Sequence, residues 1–223
     1  MKLAKNSFIC SGILFALFGF FTFMVIKVDV SAAGPNQSMV GLSAVNKFIF
    51  DSVGVNDIWY KMTQILGGIA ILTAFGFGVL GLVQLIKRKS LFKVDKDILL
   101  LGGFYLLIIV VYVLFENLTI NYRPILIDGN LEASFPSTHT MLAVFIMSTA
   151  IYQFHSRIKN KNLRYTAEGV SSVVLVLTVV GRLLSGVHWF TDIVSGVIIS
   201  FAFVMLYYAF VKYMDFFSKK QTD

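Results

Sequence analysis

Charge is what this sequence has least of. Asp, Glu, Lys and Arg make up 14% of its 223 residues, against an apolar share of 57% and a mean hydropathy of +0.79. A soluble domain carries about 25% charged residues, so the composition excludes a water-soluble globular fold and points to an integral membrane protein. Proline is also scarce, with three in the chain, which leaves long helices uninterrupted. The single cysteine, Cys10, lies inside an apolar run, so no disulfide framework can form within the chain. Low-complexity segments and internal repeats are absent from the sequence.

What remains is a series of six apolar runs, at 6–26, 62–86, 98–115, 137–154, 169–184 and 193–211. Each is near the ~20 residues needed to cross ~30 Å of hydrocarbon. The first is longer than the about 7–15 residues of a secretory h-region. It is therefore expected to be a retained span, although Val30-Ser31-Ala32 resembles a cleavage site. Residues 27–61 form a mixed connection with a turn signal at Gly34-Pro35-Asn36, and 40–53 reads as a short interfacial helix. The expected fold is all-α: one domain over 1–223, a polytopic membrane protein of six transmembrane helices.

The basic residues then orient the chain. With six spans, both termini and the connections at 87–96 and 157–164 share one side, which collects fourteen Lys and Arg. The other side holds five: Lys27, Lys47, Lys61, Arg123 and Arg182. Cytoplasmic loops carry the excess of positive charge, so both termini are expected in the cytoplasm of a plasma-membrane protein. The formal net charge of +7 thus reports topology and contact with anionic headgroups, and nucleic acid is not needed to explain it.

That topology gathers the polar residues at the extracytoplasmic ends of spans four to six. Arg123, Ser137, His139, Arg182, His188 and Asp192 all fall there, whereas His155 falls at the basic, cytoplasmic end. Two arginines, two histidines and a helix N-terminus suit an anion: the guanidinium fork matches phosphate oxygens, and free backbone N–H groups add positive potential. Pro136 suits a first helical position and Ser137 a cap; the bland reading of Ser137 is that cap alone. In a helix beginning near His188, Asp192 lies one turn on and can hold one imidazole nitrogen while the other stays free to react. A satisfied histidine at a helix mouth is the competing reading.

Arg123-Pro124, Pro136-Ser137-Thr138-His139 and Gly181-Arg182-x5-His188-x3-Asp192 together resemble the three-part signature of the type 2 phosphatidic acid phosphatase (PAP2) superfamily, over roughly 115–211. The resemblance implies a lipid phosphate phosphatase that works without metal or cofactor through a phosphohistidine. It implies that His188 attacks phosphorus, Asp192 orients that imidazole, and His139 donates a proton to the leaving oxygen. It also implies that Arg123, Arg182, Ser137 and the N–H of Thr138 hold the phosphate oxygens. The implied partners are a membrane lipid phosphate and the bilayer itself. Undecaprenyl diphosphate is the first choice of substrate, with phosphatidylglycerol phosphate and phosphatidic acid as alternatives.

Three positions depart from the family pattern. Glu116 stands where the family has lysine, Thr138 where it has glycine and Gly181 where it has serine. Glu116 is expected to stay off the reacting phosphate and either pair with Arg123 or face water. A transporter or noncatalytic membrane protein is the reading from another class, but it predicts polar residues at span midpoints, and spans two and three carry no charge between 62–86 and 98–115. A metal hydrolase would need ligand spacing that the acidic residues and histidines do not show.

Overall fold

In hydrocarbon a backbone must satisfy its own N–H and C=O groups, and the apolar runs do so as helices. The computed structural model describes residues 1–220; the last three residues of the expected single domain lie outside the described residues. It contains α1 (Lys2–Lys27), α2 (Ser43–Val53), α3 (Asp57–Arg88), α4 (Lys96–Asn117), α5 (Thr138–Arg157), α6 (Lys161–Leu184) and α7 (Phe190–Lys220). Short 3-10 turns occur at Pro35–Gln37 and Leu91–Lys93. No strand forms among the described residues, and the 118–137 connection is closed by isolated bridges such as Tyr122 to Ala133. The helix ends follow local chemistry. Asn56 caps α3 by accepting from the N–H groups of Ile58 and Trp59, and Asn160 caps α6 through Leu163 N–H.

Five of these helices (α1, α3, α4, α6 and α7) are long and apolar enough to cross a membrane. The expected sixth, α5, is not among them, and the reason is its position. It packs against α3, α6 and α7 at the centre of the bundle, so its surface meets protein rather than lipid. It can therefore carry Thr138, Thr140, Thr149 and Gln153 as buried residues. Phe104 of α4 and Phe145 of α5 stack at 6.1 Å in the apolar core, and α1 lies along α7 on the far side.

The two ends of the bundle differ. At one end Arg157 bridges Asp95 and Asp97, each at 2.7 Å, and Arg88 reaches Asp95 at 2.7 Å. Gln84 of α3 also binds Asp95, while Gln153 of α5 joins Asp97 to Tyr207 of α7. Hydrogen bonding to Arg157, helped by Arg88 and Gln84, holds the Asp95 carboxyl down at about 2. These arginines and Gln84 therefore tie helices together as well as marking a basic loop. At the other end α2 lies over the α6–α7 turn, where Asn46 accepts from Thr191 N–H and donates to Thr191 Oγ1. Gly186 in that turn has φ +67°, and a Cβ there would collide with Gly54 O.

Candidate active site

The α6–α7 turn is stitched to the 118–137 connection by side-chain hydrogen bonds. Trp189 Nε1 donates to Tyr122 O at 2.7 Å, Arg123 Nη1 donates to Val187 O at 3.3 Å, and His188 Nδ1 donates to Ser134 O at 3.1 Å. The last of these, with a second contact, fixes the chemistry of His188. A carbonyl only accepts, so Nδ1 carries the proton; Arg123 Nη1 lies 3.0 Å from Nε2 and only donates, so Nε2 presents its lone pair. Burial, with the nearby charges of Arg123 and Arg182, holds His188 well below the usual imidazole range. At neutral pH it is an uncharged base with a free electron pair aimed at an arginine.

Asp192 holds this geometry less directly than the spacing suggests. The helix begins at Phe190, after His188, and the Asp192 carboxylate accepts from Trp189 N–H at 2.9 Å, reaching back over the first turn of α7. Its Oδ2 lies 3.7 Å from His188 Nδ1, beyond hydrogen-bond reach, so the imidazole hydrogen bond belongs to Ser134. Asp192 is fully buried and Arg182 nearly so.

His139, in the first turn of α5, is held by a residue the sequence reading passed over. Its Nε2 lies 2.7 Å from Oε1 of Gln64 on α3, and Arg182 Nη2 approaches the same oxygen at 3.5 Å. The Tyr60 ring faces the Arg182 guanidinium at 5.5 Å. The positive fields of Arg123 and Arg182 reach both His139 and His188, so the four side chains share one site. Gln64 did leave a signal in the sequence: a primary amide inside an uncharged apolar run is costly unless something binds it.

Ser137 is the N-cap of α5, as expected, but its hydroxyl is engaged by Thr140, from N–H at 3.4 Å and from Oγ1 at 3.0 Å. Pro136 precedes the cap, and so is outside the first helical position assigned to it. Glu116 is not paired with Arg123. The Arg123 Nε lies 3.0 Å from Glu132 instead, and Glu116 Oε1 accepts from the Thr138 hydroxyl at 3.1 Å. Glu116 ends α4 on the side of the α5 N-terminus, whereas Glu132 shares the short connection with Arg123 and is brought opposite it by the Arg123 N to Glu132 O bond. His155 meets Glu168 at 3.0 Å at the far end of α5 and takes no part in the site.

Below His139 and Gln64 opens an apolar groove of about 600 Å³ between α3, α4 and α5, walled by residues such as Ile71, Phe75, Ile108 and Ile146. From Gln64 to Phe75 it runs ~16 Å by helix rise. The site is therefore a cationic pocket with two differently protonated imidazoles at the mouth of a greasy channel. The model of the PAP2 superfamily matches residues 114–215, which include every one of these charged and imidazole groups. That segment, a little under half of the chain, is similar to the PAP2 superfamily.

The whole chain is also similar in fold to a solved structure, a transmembrane PAP2-type phosphatidylglycerolphosphate phosphatase from Bacillus subtilis. The TM-score is 0.58 at 21% identity, covering 91% of this chain and 96% of that one. The comparison with curated proteins found no match. With the PAP2 pattern in hand, its three departures acquire partners. Glu116 and Thr138 bind each other, so the second change supplies a hydroxyl for the first. Gly181 is pressed by α3: a Cβ there would lie 2.6 Å from Thr63 Cγ2 and 3.0 Å from Trp59 Cε3.

Proposed function

We propose that the protein hydrolyses the terminal phosphate of a membrane lipid phosphate, with His188 as nucleophile and His139 as proton donor. One observation carries this reading: the lone pair on His188 Nε2 and the Nε2 proton of His139 sit in one Arg123–Arg182 field at the mouth of an apolar groove. His188 Nε2 attacks phosphorus as the phosphorus–oxygen bond to the lipid breaks, and the leaving oxygen takes a proton from His139 in its imidazolium form, which is left as a neutral imidazole. Water then attacks the phosphohistidine, its proton passes to His139, and the phosphorus–nitrogen bond breaks. Arg123 and Arg182 follow the charge on the non-bridging oxygens, which requires Arg123 to turn from the imidazole onto the phosphate. The reaction as written needs no metal.

The groove favours a lipid whose chain stays among the helices, because full extraction from the bilayer costs about 0.8 kcal/mol per CH₂. Undecaprenyl diphosphate is the substrate suggested by the sequence. Phosphatidylglycerol phosphate, whose second phosphate is separated from the terminal one by a glycerol, gains support from Glu116, since a carboxylate beside the α5 N-terminus disfavours a charged phosphate attached directly to the reacting one. The fold similarity named above points the same way. In the topology that goes with this function, α5 is the sixth span, both termini are cytoplasmic, and the site opens on the outer leaflet of the plasma membrane. This rests on the fourteen-to-five division of basic residues.

The test is phosphate release by purified protein across a panel of lipid mono- and diphosphates. Release from at least one lipid, abolished by His188→Ala, is expected; no release from any of them overturns the reading. In a Cys10→Ser background, a cysteine replacing Asp128 is expected to react with an impermeant reagent in intact cells. One replacing Lys161 is expected to react only after permeabilisation, and the reverse pattern puts the site on the cytoplasmic face.

A further inference from the structure

Helix α3 lies outside the 114–215 match, yet its outer turns wall the site on one side. Thr63 and Trp59 press on Gly181, the Tyr60 ring faces Arg182, and the position of a Cβ on Gly67 is 3.5 Å from His139 Cδ2. Gln64 sits amid these contacts, seven residues or ~10 Å into the helix. Its amide has a donor end and an acceptor end, and its neighbours decide which faces the site. Arg182 only donates, so the oxygen faces inward, and the proton shared with His139 at 2.7 Å must then sit on His139 Nε2.

We propose that Gln64 is a positioning residue that fixes the tautomer and ring orientation of His139 and thereby prepares the proton it delivers. The inference rests on the reaction proposed above. An imidazole with one unconstrained nitrogen divides its proton between two tautomers and its ring between orientations. Gln64 Oε1 selects Nε2–H, while the Gly67 backbone bounds the ring edge. The Gln64 oxygen also tethers Arg182 to the same point, so the cation that steadies the phosphate and the acid that protonates the leaving group keep one spacing. His188 shows the complementary arrangement, in which Ser134 O selects Nδ1–H. Two acceptors, one on α3 and one in the 118–137 connection, thus set opposite protonation at the two reacting nitrogens.

The experiment uses the full chain in detergent, with wild type, Gln64→Leu and Gln64→Glu compared at matched thermal stability. With three histidines in the sequence, ¹⁵N-histidine spectra can be assigned by single substitution of His139, His155 and His188. Wild type is expected to show His139 in the Nε2–H form, and Gln64→Leu a tautomer mixture. In turnover of a lipid monophosphate, Gln64→Leu should lower kcat about 100-fold, the scale of a small misplacement of a catalytic group, with a much smaller change in KM. Gln64→Glu retains an acceptor and adds a negative charge. It should keep most of kcat and move the alkaline limb of the pH profile upward by about 1 unit or more, because a carboxylate favours the imidazolium. An unchanged His139 tautomer in Gln64→Leu overturns the proposal, and so does a changed tautomer with wild-type kcat. Equal losses in Gln64→Leu and Gln64→Glu with unmoved pH limbs would make the residue merely structural. If the wild type releases no phosphate, the phosphatase reading fails, and the spectra still decide whether Gln64 sets the state of His139.

Discussion

Restoring the serine that the PAP2 pattern carries at position 181 should damage this protein. Gly181 lies in the last turns of α6, buried against α3, where a Cβ would be 2.6 Å from Thr63 Cγ2 and 3.0 Å from Trp59 Cε3. Thr63 cannot simply rotate away, because its hydroxyl donates to Tyr60 O at 2.8 Å and turning χ1 sacrifices that bond. Overpacking of this kind costs about 1–3 kcal/mol. Replacing a helical glycine by serine returns about 0.5 kcal/mol of helix propensity, so Gly181→Ser should destabilise by about 0.5–2.5 kcal/mol. For a chain of this size that is a Tm fall of about 1–10 °C, read by thermal unfolding in detergent. Arg182 is the next residue, so activity should fall with it. Thr63→Ala removes the nearer obstacle, and the double substitution should be more stable than the sum of the singles by about 1 kcal/mol or more. A Gly181→Ser protein with wild-type Tm, or strictly additive losses, would refute the close approach of α3 to the site.

Other outcomes follow from the same contacts. His188→Ala should abolish phosphate release with little change in Tm, and Asp192→Asn should lose only part of the activity, because an amide oxygen can still accept from Trp189 N–H; a dead and unfolded Asp192→Asn protein would assign that residue to folding alone. Since burial and the two arginines depress His188, its neutral form persists in acid, and the acid limb of kcat/KM should lie well below the ordinary imidazole value of about 6.5. A limb at 6.5 would contradict the site geometry. Asp95 is held down at about 2, so its contribution to stability is complete above about 3.9 and is lost as pH falls through about 2. Asp95→Asn should accordingly lower Tm at neutral pH, with the gap to wild type closing below about pH 4; a gap independent of pH would mean that the carboxylate charge is irrelevant. Glu116→Gln should keep activity and raise kcat/KM for a lipid diphosphate relative to a monophosphate, and a loss as deep as that of His188→Ala would make Glu116 catalytic.

Much of this molecule was legible without coordinates. The apolar runs became helices because hydrocarbon admits almost no other backbone, and the run at 98–115 differs from α4 by only two residues at each end. The residues at 123, 139, 182, 188 and 192 were legible as a candidate site because cations and imidazoles gathered at span ends stand out in a mostly apolar sequence. Their partners were harder to read. Glu116 was expected either to pair with Arg123 or to face water; it is exposed and accepts from Thr138, while the short connection gives Arg123 to Glu132. Asp192 was expected to hold the imidazole on a helical spacing, but α7 starts two residues after His188, and the hydrogen bond passes to Ser134 O.

The sequence by itself determined the class of fold, the helix-forming segments and the chemical types gathered at one site, because each depends on composition or on spacing within a single segment. Tertiary structure alone decided which nitrogen of each histidine carries a proton, since that is set by acceptors up to 75 residues away in the chain: Ser134 O for His188 and Gln64 Oε1 for His139. It also decided why glycine occupies position 181, and why α5 can be polar and still lie at the centre of the bundle. Local sequence fixes what a side chain is able to do. The neighbours that select its tautomer, its rotamer and the room around it come from helices distant in the chain, through contacts that leave no periodic trace in the sequence.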